Sequence, residues 1–385
     1  MTDTLSSSSP ETAPRRISLR RAWFVTHQWI GLGLAVIFVV LGITGTALVV
    51  ERQIDQFVHP KRYAGNAVAA ALGPSAYIES ARTALAATDR VGGVRYPGHV
   101  GDAITVAGTP YSPAPLNMGP PKRAQVFLDP KTAAVLDMTD GTLGYAWVLK
   151  ATHGHLMLGE VGKQIVGWMG VAMLISCLTG IWIWWPKSGG VLKKLKWSSK
   201  GQFNKKLHHH VGIWIAVPLA VLSLTGIYVS FLQAFTGMVD AAAGVAKMET
   251  SEARPRPAPP LLNTALTADQ ALQATLARAP DHEPDTIMLP TESNPHWVVT
   301  LTNPDGIAQV YRVHDATGDV SAPPAPSVTD STTKLMEDVH FGLDLGFVWK
   351  AIVFLSGFII VALGYTGILM WLRGLRMKRL VQEQS

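Results

Sequence analysis

Four stretches of the chain, Trp29 to Val50, Gln164 to Trp185, Val211 to Val239 and Ala351 to Leu372, carry no Asp, Glu, Lys or Arg. Each reaches the ~20 apolar residues that an α-helix needs to cross ~30 Å of hydrocarbon, so the pattern predicts four transmembrane helices. The first run is longer than a signal-peptide core of roughly 7–15 residues, and no clear small-residue cleavage site closes it, so it is expected to stay as a helix. Between runs one and two, and again between three and four, lie polar, Pro- and Gly-rich segments of roughly one hundred residues, enough for a small domain. The first predicts a helix over Ala76–Ala87, strands at Gly93–Tyr96, Ala103–Ala107 and Gln125–Leu128, and a turn at Asp129-Pro130-Lys131-Thr132. The second repeats that order with a helix over Thr267–Ala279 N-capped by Thr267, strands at His296–Leu301 and Gln309–Val313, and a turn at Asp315-Ala316-Thr317-Gly318. Ala107 to Arg123 and Ala253 to Pro260 read as Pro-rich loop or linker, and Thr2 to Pro14 as a disordered tail.

Charge sets the orientation. Arg15, Arg16, Arg20 and Arg21 precede the first run; Lys187, Lys193, Lys194, Lys196, Lys200, Lys205 and Lys206 lie between the second and third; Arg373, Arg376, Lys378 and Arg379 follow the fourth. All three clusters fall on one side, which the positive-inside rule makes the cytoplasm, with Trp184, Trp185 and Trp371 placed for an interfacial belt. The net charge of +6 is therefore a topology signal, and no nucleic-acid partner is expected. The expected map is a cytoplasmic tail 1–21, a transmembrane helix 22–50, a periplasmic domain 51–150, a helix 151–186, a basic loop 187–207, a helix 208–239, a second periplasmic domain 240–338, a helix 339–372 and a cytoplasmic tail 373–385. A composition of 48% hydrophobic residues with a mean hydropathy of +0.21 agrees with a bilayer as solvent. The lone Cys177, inside the second run, excludes an intrachain disulfide or a Cys-based metal site and reads as a small buried residue.

The helices repeat. His27, Gly31, Thr44 and Gly45 share a register with His208, Gly212, Thr225 and Gly226; His153, Gly159, Lys163, Gly170, Thr179, Gly180 and Ile181 share one with His340, Gly346, Lys350, Gly357, Thr366, Gly367 and Ile368. The expected fold is a membrane all-α core of four transmembrane helices with two α+β periplasmic domains and an internal two-fold repeat. Alternate helices run in opposite directions, so His27 and His208 arrive at the cytoplasmic face, and His153 and His340 at the outer face. Ionisable side chains at membrane depth point to function. One histidine near a helix end is ordinarily satisfied by a carbonyl or the interface, but four in a two-by-two pattern suit bis-histidine iron, two haems in all. Without a C-x-x-C-H motif these are non-covalent, b-type haems. Zinc or another imidazole-bound metal is the competing ligand. Within the run His208-His209-His210, repeat register selects His208, with His209 and His210 as alternates; His155 is the alternate to His153. His59, His99, His282, His296 and His314 read as solvated. Gly31, Gly33, Gly42 and Gly45 serve helix packing or room for a porphyrin.

His-x-x-x-Gly followed by Thr-Gly, and His153-x-x-Leu-x-x-Gly159 leading to Thr179-Gly180-Ile181-Trp182, resemble the PepSY-associated transmembrane helix family over nearly the whole chain. The outer segments look like its PepSY-like domains, whose typical ending is Asp-Pro-x-Thr-Gly. Here Asp129-Pro130-Lys131-Thr132-Ala133 and His314-Asp315-Ala316-Thr317-Gly318 both depart from that pattern. The resemblance implies a bacterial inner-membrane reductase of ferric siderophores, with His27, His153, His208 and His340 as haem ligands. Some relatives carry a flavin reductase domain after the last helix. This sequence reads about a dozen residues past Trp371, so a separate donor is expected, either a quinol or a cytoplasmic reductase. The expected function is transfer of electrons across the bilayer to a periplasmic ferric chelate, releasing iron as Fe(II). The alternatives are a non-redox, membrane-anchored PepSY binding or regulatory module, separated by haem content, and an iron or siderophore transporter, which ranks lower because the apolar runs hold no acidic residue.

Overall fold

The computed structural model describes residues 18–384 except 64–69, 87–88, 100, 111–123, 141–143, 187–189, 196–201, 243–257, 305, 323–326 and 344. Arg15, Arg16, Lys187, Lys196, Lys200, the tail Thr2 to Pro14 and most of both Pro-rich stretches lie outside the described residues. The helices run α1 (Leu19–Gly33), α2 (Ala35–Val49), α3 (Glu51–Val58), α4 (Pro74–Ala84), α5 (Tyr145–His155) and α6 (Gly159–Trp184), with a 3-10 turn at Pro60–Tyr63. They continue as α7 (Val191–Leu195), α8 (Phe203–Ser230), α9 (Leu232–Ala242), α10 (Ala268–Leu276), α11 (Val328–Phe341) and α12 (Gly346–Glu383). Eight strands follow α4 and α10 in two sets of four: β1 (Asp89–Arg95), β2 (Ile104–Pro110), β3 (Ala124–Leu128) and β4 (Val135–Asp140), then β5 (Glu283–Met288), β6 (His296–Thr302), β7 (Ala308–His314) and β8 (Val320–Ser321). The chain divides into a helical unit, made of residues up to Thr46, Glu160–Phe231 and Met336 onward, and a sheet unit made of Ala47–Gly159 and Leu232–Leu335.

In the helical unit α6, α8 and α12 are each long and apolar enough to cross a membrane. The first expected span passes that test only as the pair α1 and α2, which bend by 65°. Leu34 leaves helical geometry at φ −110° and ψ 4°. It directly follows Gly33, and with Gly31 that places two residues of weak helical preference in the last turn of α1. The expected helix 22–50 is thus broken. Other boundaries move as well. Helix 151–186 is interrupted where Leu156, Met157 and Gly159 take left-handed φ of 47°, 60° and 60°, and helix 339–372 where Gly342 and Gly346 take 72° and 78°. Helix 208–239 starts earlier, at Phe203, passes unbroken through Pro218 and stops at Ser230, with α9 separate. The expected tail 373–385 continues α12 to Glu383.

Two close crossings hold the bundle. A Cβ on Gly357 would lie 2.0 Å from Thr46 Oγ1 and 2.2 Å from the Gly42 carbonyl oxygen, and one on Gly170 would lie 2.9 Å from Ile227 Cγ1. Thr46 also donates its hydroxyl to the Phe354 carbonyl at 2.9 Å. Small residues let backbones approach where no hydrophobic gain drives helices together in lipid. Gly357→Ala is therefore expected to cost about 1–3 kcal/mol of bundle stability, the usual penalty of overpacking. Gly374→Ala is the control: it meets nothing within 4 Å and should stabilise α12 slightly. Thermal unfolding of both variants in detergent checks this, and equal melting points would refute the packing role. At the basic end, Arg20 donates to the Ile183 carbonyl at 2.5 Å and Lys194 to that of Trp184. These cations cap the C-terminal carbonyls of α6, where the helix dipole favours positive charge. Trp184, placed in the aromatic belt from sequence, is buried under Lys194.

The two polar segments do not form separate sheets. Their strands make one antiparallel sheet in the order β4-β3-β2-β1-β5-β6-β7-β8, joined where Gly93, Val94 and Arg95 pair with Met288, Ile287 and Thr286. Tyr77 and Ala81 of α4 and Ala271 and Leu272 of α10 pack with Val94, Ile104, Val106, Ile287, Trp297 and Val299 in a single core. α10 carries the expected N-cap: Thr267 Oγ1 accepts from Gln270 N, and the Gln270 side chain accepts from Thr267 N. At the chain endings, Asp129 accepts from Lys131 N, Thr132 N and Thr132 Oγ1, while Asp315 accepts from Ala265 N, Leu266 N and Trp297 Nε1. Ala133 takes a left-handed φ of 57° where Gly318 takes 74°. The departure from glycine at 133 is thus tolerated, at a conformational cost of about 1–2 kcal/mol.

Candidate functional site

His27 lies in α1 and His208 in α8, and their ring centroids stand 6.3 Å apart with planes at 85°. Each imidazole is held from behind by a threonine of another helix. His27 Nδ1 is 3.0 Å from the Ser176 carbonyl and 3.2 Å from Thr179 Oγ1 in α6. His208 Nδ1 is 3.0 Å from Thr366 Oγ1 in α12. His340, in the last turn of α11, repeats the arrangement, with Nδ1 3.1 Å from the Leu222 carbonyl and 3.1 Å from Thr225 Oγ1 in α8.

The hydrogen bonds fix the tautomer. Thr179, Thr225 and Thr366 each donate the hydroxyl proton to carbonyls three and four residues back in their own helix, at 2.8–3.1 Å. Their oxygens can then only accept, as can the carbonyls of Ser176 and Leu222, so Nδ1 of each histidine is the donor. The lone pair therefore resides on Nε2, the arrangement found in metal-ligating histidines whose other nitrogen is bonded behind them. Thr44, the fourth threonine of the repeat, donates in the same way to Val40 and Leu41.

The glycine after each threonine makes room for the ring. An added Cβ would lie 3.1 Å from His27 Cε1 at Gly180, 2.9 Å from His340 Cε1 at Gly226 and 3.6 Å from His208 Cε1 at Gly367. Thr-Gly, visible in the sequence only as a repeated pair, is thus an imidazole seat: the threonine orients the ring and the glycine admits it. One turn beyond His27 on the same face, Gly31 meets nothing within 4 Å, and Gly212, one turn beyond His208, has only Leu363 at 3.8 Å.

Within the triple histidine, the facing ring and the Thr366 bond single out His208. The His209 ring lies 6.4 Å from that of His208. His210 Nδ1 bonds the Lys206 carbonyl at 3.0 Å. His153 and His155 lie in the last turn of α5, in the sheet unit, so their relation to His340 in the helical unit is a matter of the repeat alone. Neither His153 nor His340 begins its membrane helix, as the sequence predicts; each ends a preceding short one. Cys177 packs against Ile215 and Leu219, as expected of a small buried residue.

A second polar cluster escaped the sequence reading. Asp55 of α3 accepts from His59 Nδ1 at 3.0 Å, Tyr63 Oη at 2.7 Å, Tyr145 Oη at 2.9 Å and Arg62 Nη1 at 3.2 Å. Tyr145 opens α5, the helix that ends in His153 and His155. Lys150 of α5 pairs with Glu51 at 2.8 Å. Burial alone would raise the Asp55 pKa, but three donors and the Arg62 charge outweigh it and hold the carboxyl below its ordinary range.

Among the described residues, no three His, Cys, Asp or Glu side chains converge as a metal site. Two imidazoles alone do not complete zinc's usual four ligands. With ring centroids 6.3 Å apart and Nδ1 of each ring bonded behind it, His27 and His208 are the pair that would hold a metal supplied with its remaining donors by a macrocycle, which would bring one-electron chemistry. A search of curated proteins gave no significant match. Residues 24–373 match the family described as PepSY-associated TM region, and the chain belongs to that family.

Proposed function

We propose that the protein is a di-haem b reductase of the bacterial inner membrane, taking electrons from the cytoplasmic side or the quinol pool and reducing a periplasmic ferric chelate so that iron leaves as Fe(II). The facing pair His27 and His208, each with Nδ1 committed behind it and Nε2 as the ligating nitrogen, carries this reading. His340, held in the same way by Thr225, is one ligand of the second haem, and the repeat assigns His153 as the other. A haem so held supplies one-electron transfer through hydrocarbon. The basic clusters orient the chain with both termini and the His27–His208 pair inside, leaving the sheet unit in the periplasm. In this topology α1 and α2 act as one bent span, the fourth beside α6, α8 and α12.

The residues do the positioning. Thr179 and Thr366 fix ring rotation and tautomer, and their bonds to Nδ1–H make Nε2 a stronger donor to iron. Fe(III) binds hard oxygen chelators more tightly than Fe(II), so reduction promotes release without breaking the chelator.

Oxidised and dithionite-reduced spectra of the purified protein, with haem assayed as pyridine haemochrome, test the proposal. Two low-spin b-type haems per chain, reoxidised by a ferric chelate, are expected. No haem from cells supplied with iron and haem precursor would overturn it in favour of a PepSY binding module. Thr366→Val keeps the shape that abuts His208 but removes the acceptor. It is expected to weaken haem retention about 10–100-fold, as losses of such supporting bonds do, measured by haem transfer to apomyoglobin. Unchanged retention would remove Thr366 from the ligand set's support.

A further inference from the structure

In the second half of the sheet His296 opens β6 and His314 closes β7, and the strand register sets them opposite each other. The next pair along, Trp297 and Val313, is buried in the core with α10, so the two histidines share the other face. Their ring centroids stand 5.0 Å apart with planes at 89°. His296 Nδ1 lies 2.9 Å from Asn294 Oδ1, an acceptor, so Nδ1 carries the proton and Nε2 the lone pair. His314, expected from its polar surroundings to be solvated, is half-buried. Its Nδ1 is fully covered and has no hydrogen-bond partner among the described residues. Such an atom calls for a partner, and edge-to-face packing of two rings does not supply one.

The fold does not require this pair. Ala103 and Asp129 flank the pair Ile104–Leu128 as His296 and His314 flank Trp297–Val313. Asp129 N donates to the Ala134 carbonyl as His314 N donates to that of Asp319, and each residue's own carbonyl accepts from the N–H four positions on. In this place the Asp129 side chain accepts three hydrogen bonds within its turn, whereas His314 Nδ1 has none. The second half thus puts two imidazoles where the first has an alanine and a turn-capping carboxylate.

We infer that His296 and His314 together bind a divalent transition-metal ion, a site made of residues outside the proposed haem ligands. Imidazole suits copper, nickel, zinc and iron, and of their divalent ions copper binds a given nitrogen site most tightly. Beyond His314 the row continues with Asp319, whose carboxylate accepts from Thr317 Oγ1 at 2.6 Å and adds negative charge beside the rings. No third His, Cys, Asp or Glu side chain converges with the pair among the described residues, so the ion takes its other ligands from solvent. A water molecule would satisfy one nitrogen but gives no account of a second imidazole set opposite it.

The test is titration of the untagged full chain in detergent with Cu(II) at neutral pH, read by electron paramagnetic resonance and by competition with a chelator of known affinity. A copper ion coupled to two imidazole nitrogens is expected. His296→Ala and His314→Asp place the first half's own residues at these positions, so both are expected to melt at the wild-type temperature or above. Each should lose one coupled nitrogen and weaken copper binding by about 10–100-fold or more, since even supporting bonds behind a ligand are worth that much. Unchanged copper affinity in either variant, or two nitrogens still coupled at wild-type affinity in the double variant, would overturn the inference; copper held by other histidines would give that result. The comparison of variants holds with or without haem, so its outcome bears on this site alone.

Discussion

In the proposed di-haem protein, His208→Ala is expected to lose one haem, while His209→Ala and His210→Ala keep both. Only His208 faces His27 at 6.3 Å between centroids and has its Nδ1 fixed by Thr366. Its removal leaves the pair with one imidazole, and bis-histidine ligation fails outright. His27→Ala should give the same stoichiometry and the same remaining spectrum, since both variants empty one site. His340→Ala should empty the other, with a different remaining spectrum. Haemochrome assay against protein concentration, with low-temperature reduced spectra, checks each case. Two haems in His208→Ala, or one in His209→Ala, would show that the facing rings do not share an iron.

Much of this geometry was legible in the sequence, and the part that was not has a physical reason. The four histidines stood out because the repeat put them in register, and charge-free runs located the apolar helices. The partners of the histidines could not be read. Thr179 lies 152 positions from His27 and Thr366 lies 158 from His208, and pairings between separate helices leave no periodicity in either one. The break at Leu34 and the turns before Gly159 and Gly346 sit inside or beside apolar runs, where composition does not distinguish a bent span from a straight one. In the sheet, β2, β3, β6 and β7 announced themselves by buried alternation, whereas β1 buries Val91 to Val94 without a break. β5 did not, because Glu283, Pro284 and Asp285 open it and Ile287 is its one buried residue; it is held by backbone pairing between β1 and β6. That strand turns two expected domains into one sheet.

The Asp55 cluster was likewise invisible, because its members come from α3, the following 3-10 turn and α5, and only packing brings Tyr145 to residue 55. Asp55→Ala is expected to destabilise the sheet unit by about 3 kcal/mol, the scale on which breaking a buried ion pair by removing one partner is felt. Arg62, with its side chain only 8% exposed, would keep Asp137 at 2.6 Å but lose its second carboxylate, and the hydroxyls of Tyr63 and Tyr145 would lose their acceptor. Asp55→Asn, which keeps one carbonyl oxygen for the tyrosines, should cost less. The wild-type carboxyl has a folded-state pKa below its unfolded value, so its stabilisation is complete above the unfolded pKa of about 4 and is lost as pH falls through the lower, folded one. The alanine variant should lack that acid-side decline. Hydrogen exchange of the full-length protein in detergent, read on peptides from α3 and α5 at neutral and acid pH, measures both effects. Protection should fall first in α5, the helix that carries His153, and unchanged protection there would mean that Asp55 does not anchor it.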